Sequence, residues 1–141
     1  MANVVHMQIL ARGSRQWNLW RRDNQSVKPT LSGADLKRAA LSDVDFSETN
    51  LYQADLTEAT LKRANLVGAN LDGAKLYDAD LRNANLSRAD LCWANFTEAR
   101  LGNTNLSGAK LNRTVFGATY MRTALGLDSC IHLGPSILDI A

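Results

Sequence analysis

A large apolar residue occupies every fifth position of the chain from Leu31 to Met121 without interruption. We call these nineteen positions centres, and fifteen of them are leucine. Two residues before a centre lies a position that we call the small slot, which holds alanine in thirteen of eighteen cases. The residue directly before a centre is Asp or Asn in eleven of eighteen cases. The hydrophobic pattern therefore has a strict period of five.

This period excludes both a continuous α-helix and a flat strand. Five residues rotate a helix by about 500°, so the centres would wind around it and form no single apolar stripe. Along a flat strand, an odd period would place successive centres on opposite faces. The chain must therefore turn within every repeat, with the small slot and the centre facing inward together. Residues such as Gly33, Gly68, Asn83 and Asn103 stand where corners are expected.

The order Ala, then Asp or Asn, then Leu, then two variable residues, as in Ala64-Asn65-Leu66, resembles the signature of the pentapeptide-repeat family. The resemblance covers residues 31–123. It implies an all-β solenoid, a right-handed quadrilateral β-helix with about twenty residues per coil. We therefore expect Phe96 and Phe116, which are twenty residues apart, to stack inside. Nearly five coils, each rising about 4.8 Å, predict a rod about 24 Å long.

The chain before the repeats, residues 1–30, is interpreted as a capping helix and a linker, because the end of a solenoid exposes apolar cross-section. Asn3 is the expected N-cap, Pro29 bars continuation, and Gly13 is expected to let the helix approach the first coil. The capping residues are predicted to be Leu10, Trp17 and Trp20. Solvent exposure is expected for Arg12, Arg15, Arg21 and Arg22. The alternative is that the tryptophans and arginines bind a partner or a membrane surface.

The chain after the repeats, residues 124–141, is apolar, and its register fails at Gly126. This segment could cap the last coil or form a homodimer contact, since some members of the family pair through their C-terminal ends. The Cys-x-His-x-Gly-Pro-Ser segment at 130–136 is similar to connectors in longer bacterial proteins. The chain could therefore be the N-terminal module of a larger protein. Deleting 127–141 is expected to cause aggregation or to dissolve a dimer.

Composition limits the functional classes. The chain has 141 residues, sixteen Lys and Arg, fourteen Asp and Glu, and a net charge of +2. Two unpatterned cysteines, Cys92 and Cys130, argue against a disulfide-stapled secreted domain, and no apolar run is long enough to span a bilayer. The predicted location is cytoplasmic. The two histidines, His6 and His132, fall at opposite ends of the predicted rod, so we predict no catalytic site, no metal site and no cofactor.

Residues twenty apart share a column in the predicted coil, so each face can be analysed for charge. One face is basic and holds Lys62, Arg82, Arg100 and Arg122. A neighbouring face is acidic and holds the column Glu58, Asp78 and Glu98. A third face places Tyr52, Cys92 and Trp93 outward, and an exposed tryptophan on a rigid surface is a strong candidate for a contact residue. For each charged face, the alternative is an ordinary solvated surface.

We predict a non-catalytic protein-interaction or scaffolding module, with an unidentified protein partner and no membrane contact. The alternative is a DNA-mimicking, gyrase-binding protein of the quinolone-resistance type. Mimicry of DNA requires a strongly acidic surface. The repeat segment instead holds eleven basic and eleven acidic residues, which disfavours gyrase as the partner. Nucleic-acid binding by the basic face is a third class, and enzyme action is disfavoured.

Overall fold

Successive twenty-residue segments of the chain lie side by side and pair through parallel β-bridges. The computed structural model describes the backbone of residues 1–140 and the side chains of residues 1–137. Its bridges join residues twenty apart, from Thr30 with Asn50 to Asn105 with Leu125. We call each twenty-residue segment a coil, and it has the length that the family resemblance implies.

Most of this pairing consists of single bridges, because the chain leaves the extended conformation every few residues to turn a corner. Within residues 1–140, four short stretches form continuous strands, and they make two separate two-stranded ladders with no closed sheet. The strands are β1 (Lys110–Leu111), β2 (Val115–Thr119), β3 (Ile131–His132) and β4 (Ile137–Ile140). Regular strand is therefore a small part of a chain predicted to be all-β.

Each corner is a tight turn whose third residue has a positive φ. The amide of Ala34 donates to the carbonyl of Leu31 at 3.0 Å, and the same bond recurs in later repeats. The eighteen corner residues from Gly33 to Ala118 have φ between 49° and 68°, and fourteen of them are not glycine. Since this region is unfavourable for residues with a Cβ, the pairing between coils must hold these residues in it.

The core is a column of centres lined by the small slots. Every centre is buried, and Phe96 and Phe116 stack with ring centroids 5.2 Å apart, as predicted. Threonines in small slots are also buried. Their hydroxyls donate to backbone carbonyls, as Thr104 does to the carbonyl of Leu81 at 2.7 Å. A small slot therefore accepts a polar atom only when that atom has a backbone partner.

The N-terminal segment forms two helices where one was predicted. Helix α1 spans Val4–Leu10 and α2 spans Ser14–Asp23. They are separated at Gly13, whose φ of 96° is not helical. The expectation that Gly13 permits close packing was wrong, because a Cβ built on it would have nothing within 4 Å. Its conformation is what favours glycine here. None of the helices in the described part of the chain is long and apolar enough to cross a membrane.

Helix α2 covers the edge of the first coil, where no earlier coil supplies bridging partners. Trp17 is fully buried, and its indole donates to the carbonyl of Asp45 at 2.7 Å. The amide of Asn18 donates to the carbonyl of Asp43 at 2.8 Å, and its oxygen accepts from the amide of Asp45 at 2.8 Å. Side chains of α2 therefore replace the missing strand.

The predicted exposure of Arg21 was also wrong, because this residue is only 5% exposed. Its guanidinium donates to the carbonyls of Val27 at 2.7 Å and Ser47 at 3.0 Å. A buried guanidinium is costly without partners, and here it joins the linker to the first coil. Arg12, Arg15 and Arg22 are exposed as expected.

The C-terminal segment continues the coil with an altered register. Strand β3 pairs in parallel with β1, and β4 with β2. The partner of Lys110 is Ile131, twenty-one residues later, and the partner of Val115 is Ile137, twenty-two residues later. The slip begins after Gly126, where a Cβ would come within 2.7 Å of the Ser107 backbone. The part of the C-terminal prediction that concerns Ala141 lies outside the described residues.

Candidate interaction surfaces

The Asp and Asn side chains before the centres hold the corners by hydrogen bonds. The Oδ1 atom of Asn85 accepts from the amide of Ser87 at 3.0 Å. Asn65 and Asn105 make the equivalent bonds to residues two positions later. These bonds span two residues, as in an Asx-turn, and give the backbone a local partner at each turn. The column Asn65, Asn85 and Asn105 therefore supports the corners of successive coils.

The basic face divides into paired and unpaired arginines. Arg82 donates to both carboxylate oxygens of Asp80, at 2.9 and 2.7 Å, and Lys62 lies 3.5 Å from the same carboxylate. The pKa of Asp80 is lowered to about 2, mainly by the hydrogen bonds from Arg82. Arg100 and Arg122 are exposed, and neither forms an ion pair within the described residues.

A cleft of about 370 Å³, which was not expected from the charge pattern, opens on this face. Its lining includes Arg82, Arg100 and Arg122, which the charge pattern selected, together with Gly102, Tyr120 and Thr123, which it did not. The sequence feature that could have predicted the cleft is Gly102, which interrupts a column of long side chains.

The acidic column is partly neutralised, because an arginine lies in the position that precedes it by one coil. Arg38, one coil before Glu58, donates to its carboxylate at 2.8 and 3.3 Å. This bond lowers the pKa of Glu58. Further along, a hydrogen bond to Glu98 raises the pKa of the exposed Tyr77. Asp78 lies between these pairs and is exposed. Within the described residues, Asp78 and Glu98 form no ion pair, so Arg38 neutralises only Glu58 of this column.

The third face carries the most exposed aromatic side chain of the repeats after Tyr120. Trp93 is 55% exposed and stands on a corner with φ of 58°. The guanidinium carbon of Arg113, one coil later, lies 4.7 Å from the ring centroid of Trp93, a cation–π geometry. Tyr52 lies two coils before Cys92 and is 39% exposed. The structure thus places Tyr52 and Trp93 on neighbouring corner columns.

Neither cysteine has the character of a nucleophile. Burial, followed by hydrogen bonding to Asp90, raises the pKa of the Cys92 thiol to about 11. Burial also raises the pKa of Cys130, whose sulfur lies 3.3 Å from the carbonyl oxygen of Leu106. Both thiols are therefore protonated at neutral pH. Among the side chains of residues 1–137, no three His, Cys, Asp or Glu come together as a metal site would require.

The predicted capping residues lie together at the N-terminal end. Leu10 is 5% exposed and Trp17 is fully buried, while Trp20 is half-buried against the Trp17 ring at a centroid distance of 5.2 Å. Trp17 also meets the ring of Phe46, the centre beneath it, edge to face at 5.5 Å. The C-terminal segment leaves five large apolar side chains exposed. They are Leu125, Leu127, Ile131, Leu133 and Ile137.

Comparison with known proteins identifies the repeat. The family model described as pentapeptide repeats matches in eight copies, over residues 39–76 and 74–113. A comparison with curated protein sequences finds no match.

Solved structures of pentapeptide repeat proteins are similar to the chain. One from the Arabidopsis thaliana thylakoid lumen is 38% identical with a TM-score of 0.61, over 63% of this chain and 62% of that protein. One from Nostoc is 28% identical with a TM-score of 0.65, over 82% of this chain and 93% of that one. The chain thus spans less than two thirds of the Arabidopsis protein. A plasmid-mediated fluoroquinolone resistance protein, QnrB1, is 16% identical with a TM-score of 0.31, over 77% and 79% of the chains, which supports no functional argument.

Proposed function

The chain belongs to the pentapeptide-repeat family, and we propose that it is a non-catalytic module that binds a partner protein through the faces of a right-handed quadrilateral β-helix. The handedness is that implied by the family's solved structures. The parallel bridges between residues twenty apart support the coiled form. A coil whose corners are held by hydrogen bonds to the neighbouring coil suits recognition, because few backbone degrees of freedom are lost on binding.

The observation that carries this proposal is the exposure of Trp93 on a fixed backbone. Its amide donates to the carbonyl of Asn112 at 2.8 Å, so the next coil holds the corner in place. Arg113 covers part of the ring at 4.7 Å and leaves 55% of the residue exposed. Tryptophan and arginine are enriched among the residues that dominate binding energy. We place the partner contact on this face, with Tyr52 at its margin.

The charge arrangement supports a protein partner better than mimicry of DNA. A DNA mimic presents rows of unpaired acidic groups in place of phosphates. Here Asp43 pairs with Arg63 at 2.7 Å, and Glu58 and Asp80 have arginine partners at 2.8 and 2.7 Å. Each of these pairs neutralises one acid locally, so these acids do not form a row of unpaired charges. The cytoplasmic location and the homodimer expected from the sequence stay predictions.

Affinity capture from the source organism tests the proposal. The variants are Trp93→Ala and, as a matched control, Tyr77→Ala, which removes an exposed aromatic ring from a different face. Alanine suits the Trp93 corner, since Ala118 occupies an equivalent corner with φ of 49°. We expect the wild type and Tyr77→Ala to retain one partner that Trp93→Ala loses, with equal melting temperatures throughout.

Equal capture by all three proteins would contradict the assignment of this face. Inhibition of gyrase supercoiling, or its protection, at micromolar concentrations of the purified chain would overturn the proposal in favour of the gyrase-binding alternative. Neither result depends on the cleft of the basic face.

A further inference from the structure

The cleft on the basic face exists because one side chain is missing from a column. Four of the positions twenty apart on this corner hold Ser42, Lys62, Arg82 and Arg122, and Gly102 lies between the last two. The φ of Gly102 is not in the left-handed region, unlike that of most glycines here. The backbone would therefore accept any residue, and the effect of glycine at this position is to leave space.

The walls of this space are close and chemically mixed. A Cβ on Gly102 would lie 3.6 Å from Cγ of Arg82 and 3.6 Å from Oγ1 of Thr123, which are ordinary contact distances. Tyr120, which is 60% exposed, forms another part of the lining. The volume of about 370 Å³ falls in the range of small-molecule sites. The cleft thus offers an aromatic surface beside hydrogen-bond donors.

Two of the three arginines at the cleft form no ion pair in the part of the chain whose side chains the structure describes. Arg82 is committed to Asp80 by two bonds. Arg100 and Arg122 line the cleft from successive coils, and within residues 1–137 no carboxylate pairs with either of them. A guanidinium presents a planar fork of donors that matches phosphate and carboxylate oxygens. Two such groups can satisfy a doubly charged anion, whereas a carboxylate carries only one charge.

We propose that this cleft binds a small phosphate monoester that carries an aromatic group. The phosphate lies between the guanidinium groups of Arg100 and Arg122, and the aromatic ring lies on Tyr120 in the space left by Gly102. Charge-assisted bonds hold the phosphate, and ring contact adds affinity and selectivity. The site is separate from the Trp93 face and does not rest on the proposed function.

Binding of phenyl phosphate, inorganic phosphate and benzoate, each measured by calorimetry at constant ionic strength, tests the proposal. We expect phenyl phosphate to bind most tightly. Arg100→Gln and Arg122→Gln should each weaken it about tenfold or more, because each removes a charged hydrogen-bond partner. Gly102→Leu should abolish binding by filling the space, with the melting temperature confirming that the variant is folded.

The matched control is Arg88→Gln, which removes an exposed arginine from another corner and lowers the net charge equally. It should leave affinity unchanged. An equal loss in Arg88→Gln and Arg100→Gln would mean that only net charge matters, and would overturn the site. Benzoate binding as tightly as phenyl phosphate would overturn the assignment to phosphate esters. Inorganic phosphate binding as tightly as phenyl phosphate would overturn the role of the aromatic group.

Discussion

Replacing Asp80 with asparagine should reveal a pH-dependent contribution of the basic face to stability. The Asp80 carboxylate accepts two bonds from Arg82, at 2.9 and 2.7 Å, and lies 3.5 Å from the Lys62 ammonium. Its side chain is 15% exposed, so solvent screens these contacts only partly. Asp80→Asn keeps the shape of the side chain and removes its charge.

The magnitude follows from the pKa. The bonds lower the pKa of Asp80 from 3.8 to about 2, and each unit corresponds to about 1.4 kcal/mol. The ionised form therefore contributes about 2 kcal/mol to the free energy of unfolding. Because the folded pKa is depressed, this contribution is fully present above the unfolded pKa. It is lost as the pH falls through about 2.

Denaturant unfolding of wild type and Asp80→Asn near pH 6 and near pH 2 measures this contribution. The variant should be less stable by about 2 kcal/mol near pH 6, and the difference should shrink as Asp80 itself becomes protonated. The control is Asp35→Asn, which occupies the equivalent slot before a centre but has a side chain that is 74% exposed. A difference that does not change with pH, or an equal effect of Asp35→Asn, would refute the reasoning.

Two further predictions concern packing. Ala79 lies in a small slot and is fully buried, so Ala79→Leu should destabilise the coil by about 1 to 3 kcal/mol through overpacking. The control Ala40→Leu changes an exposed residue and should leave stability unchanged. Equal melting temperatures for the two variants would contradict the assignment of the small slot. Deleting residues 127–141 removes β3 and β4 and exposes the last centres, so light scattering should detect aggregation. A monodisperse product with an unchanged melting temperature would show that the segment does not cover the last coil.

The repeat was predictable because its physics is local. The small slot, the residue before the centre and the centre stand side by side in each repeat, and the period appears as soon as a few repeats are compared. Phe96 and Phe116 stack as the twenty-residue coil requires. The corners were predicted only where they hold Gly or Asn. The structure shows that residues such as Arg38 and Trp93 adopt the same positive φ, because pairing with the adjacent coil imposes it.

The candidate surfaces were less predictable, because columns of side chains form only after the chain has coiled. The sequence showed an excess of positive charge on one face. It did not show that Lys62 and Arg82 converge on Asp80 while Arg100 and Arg122 do not. The buried position of Arg21 was also missed. Its partners are backbone carbonyls in the linker and the first coil. Bonds to backbone atoms leave no pattern of side chains in the sequence from which they could be predicted.

The sequence alone determined the five-residue period, the inward set of residues and the corners that hold Gly or Asn, since these depend on the size, hydrophobicity and conformational preference of residues within a few positions of one another. The tertiary structure decided which charges are neutralised, how the first edge is covered by α2 and where a cleft opens at Gly102. These features arise from contacts between residues about twenty positions apart. The distances between such residues, and which hydrogen-bond donors have a partner, are set only when one coil lies on the next.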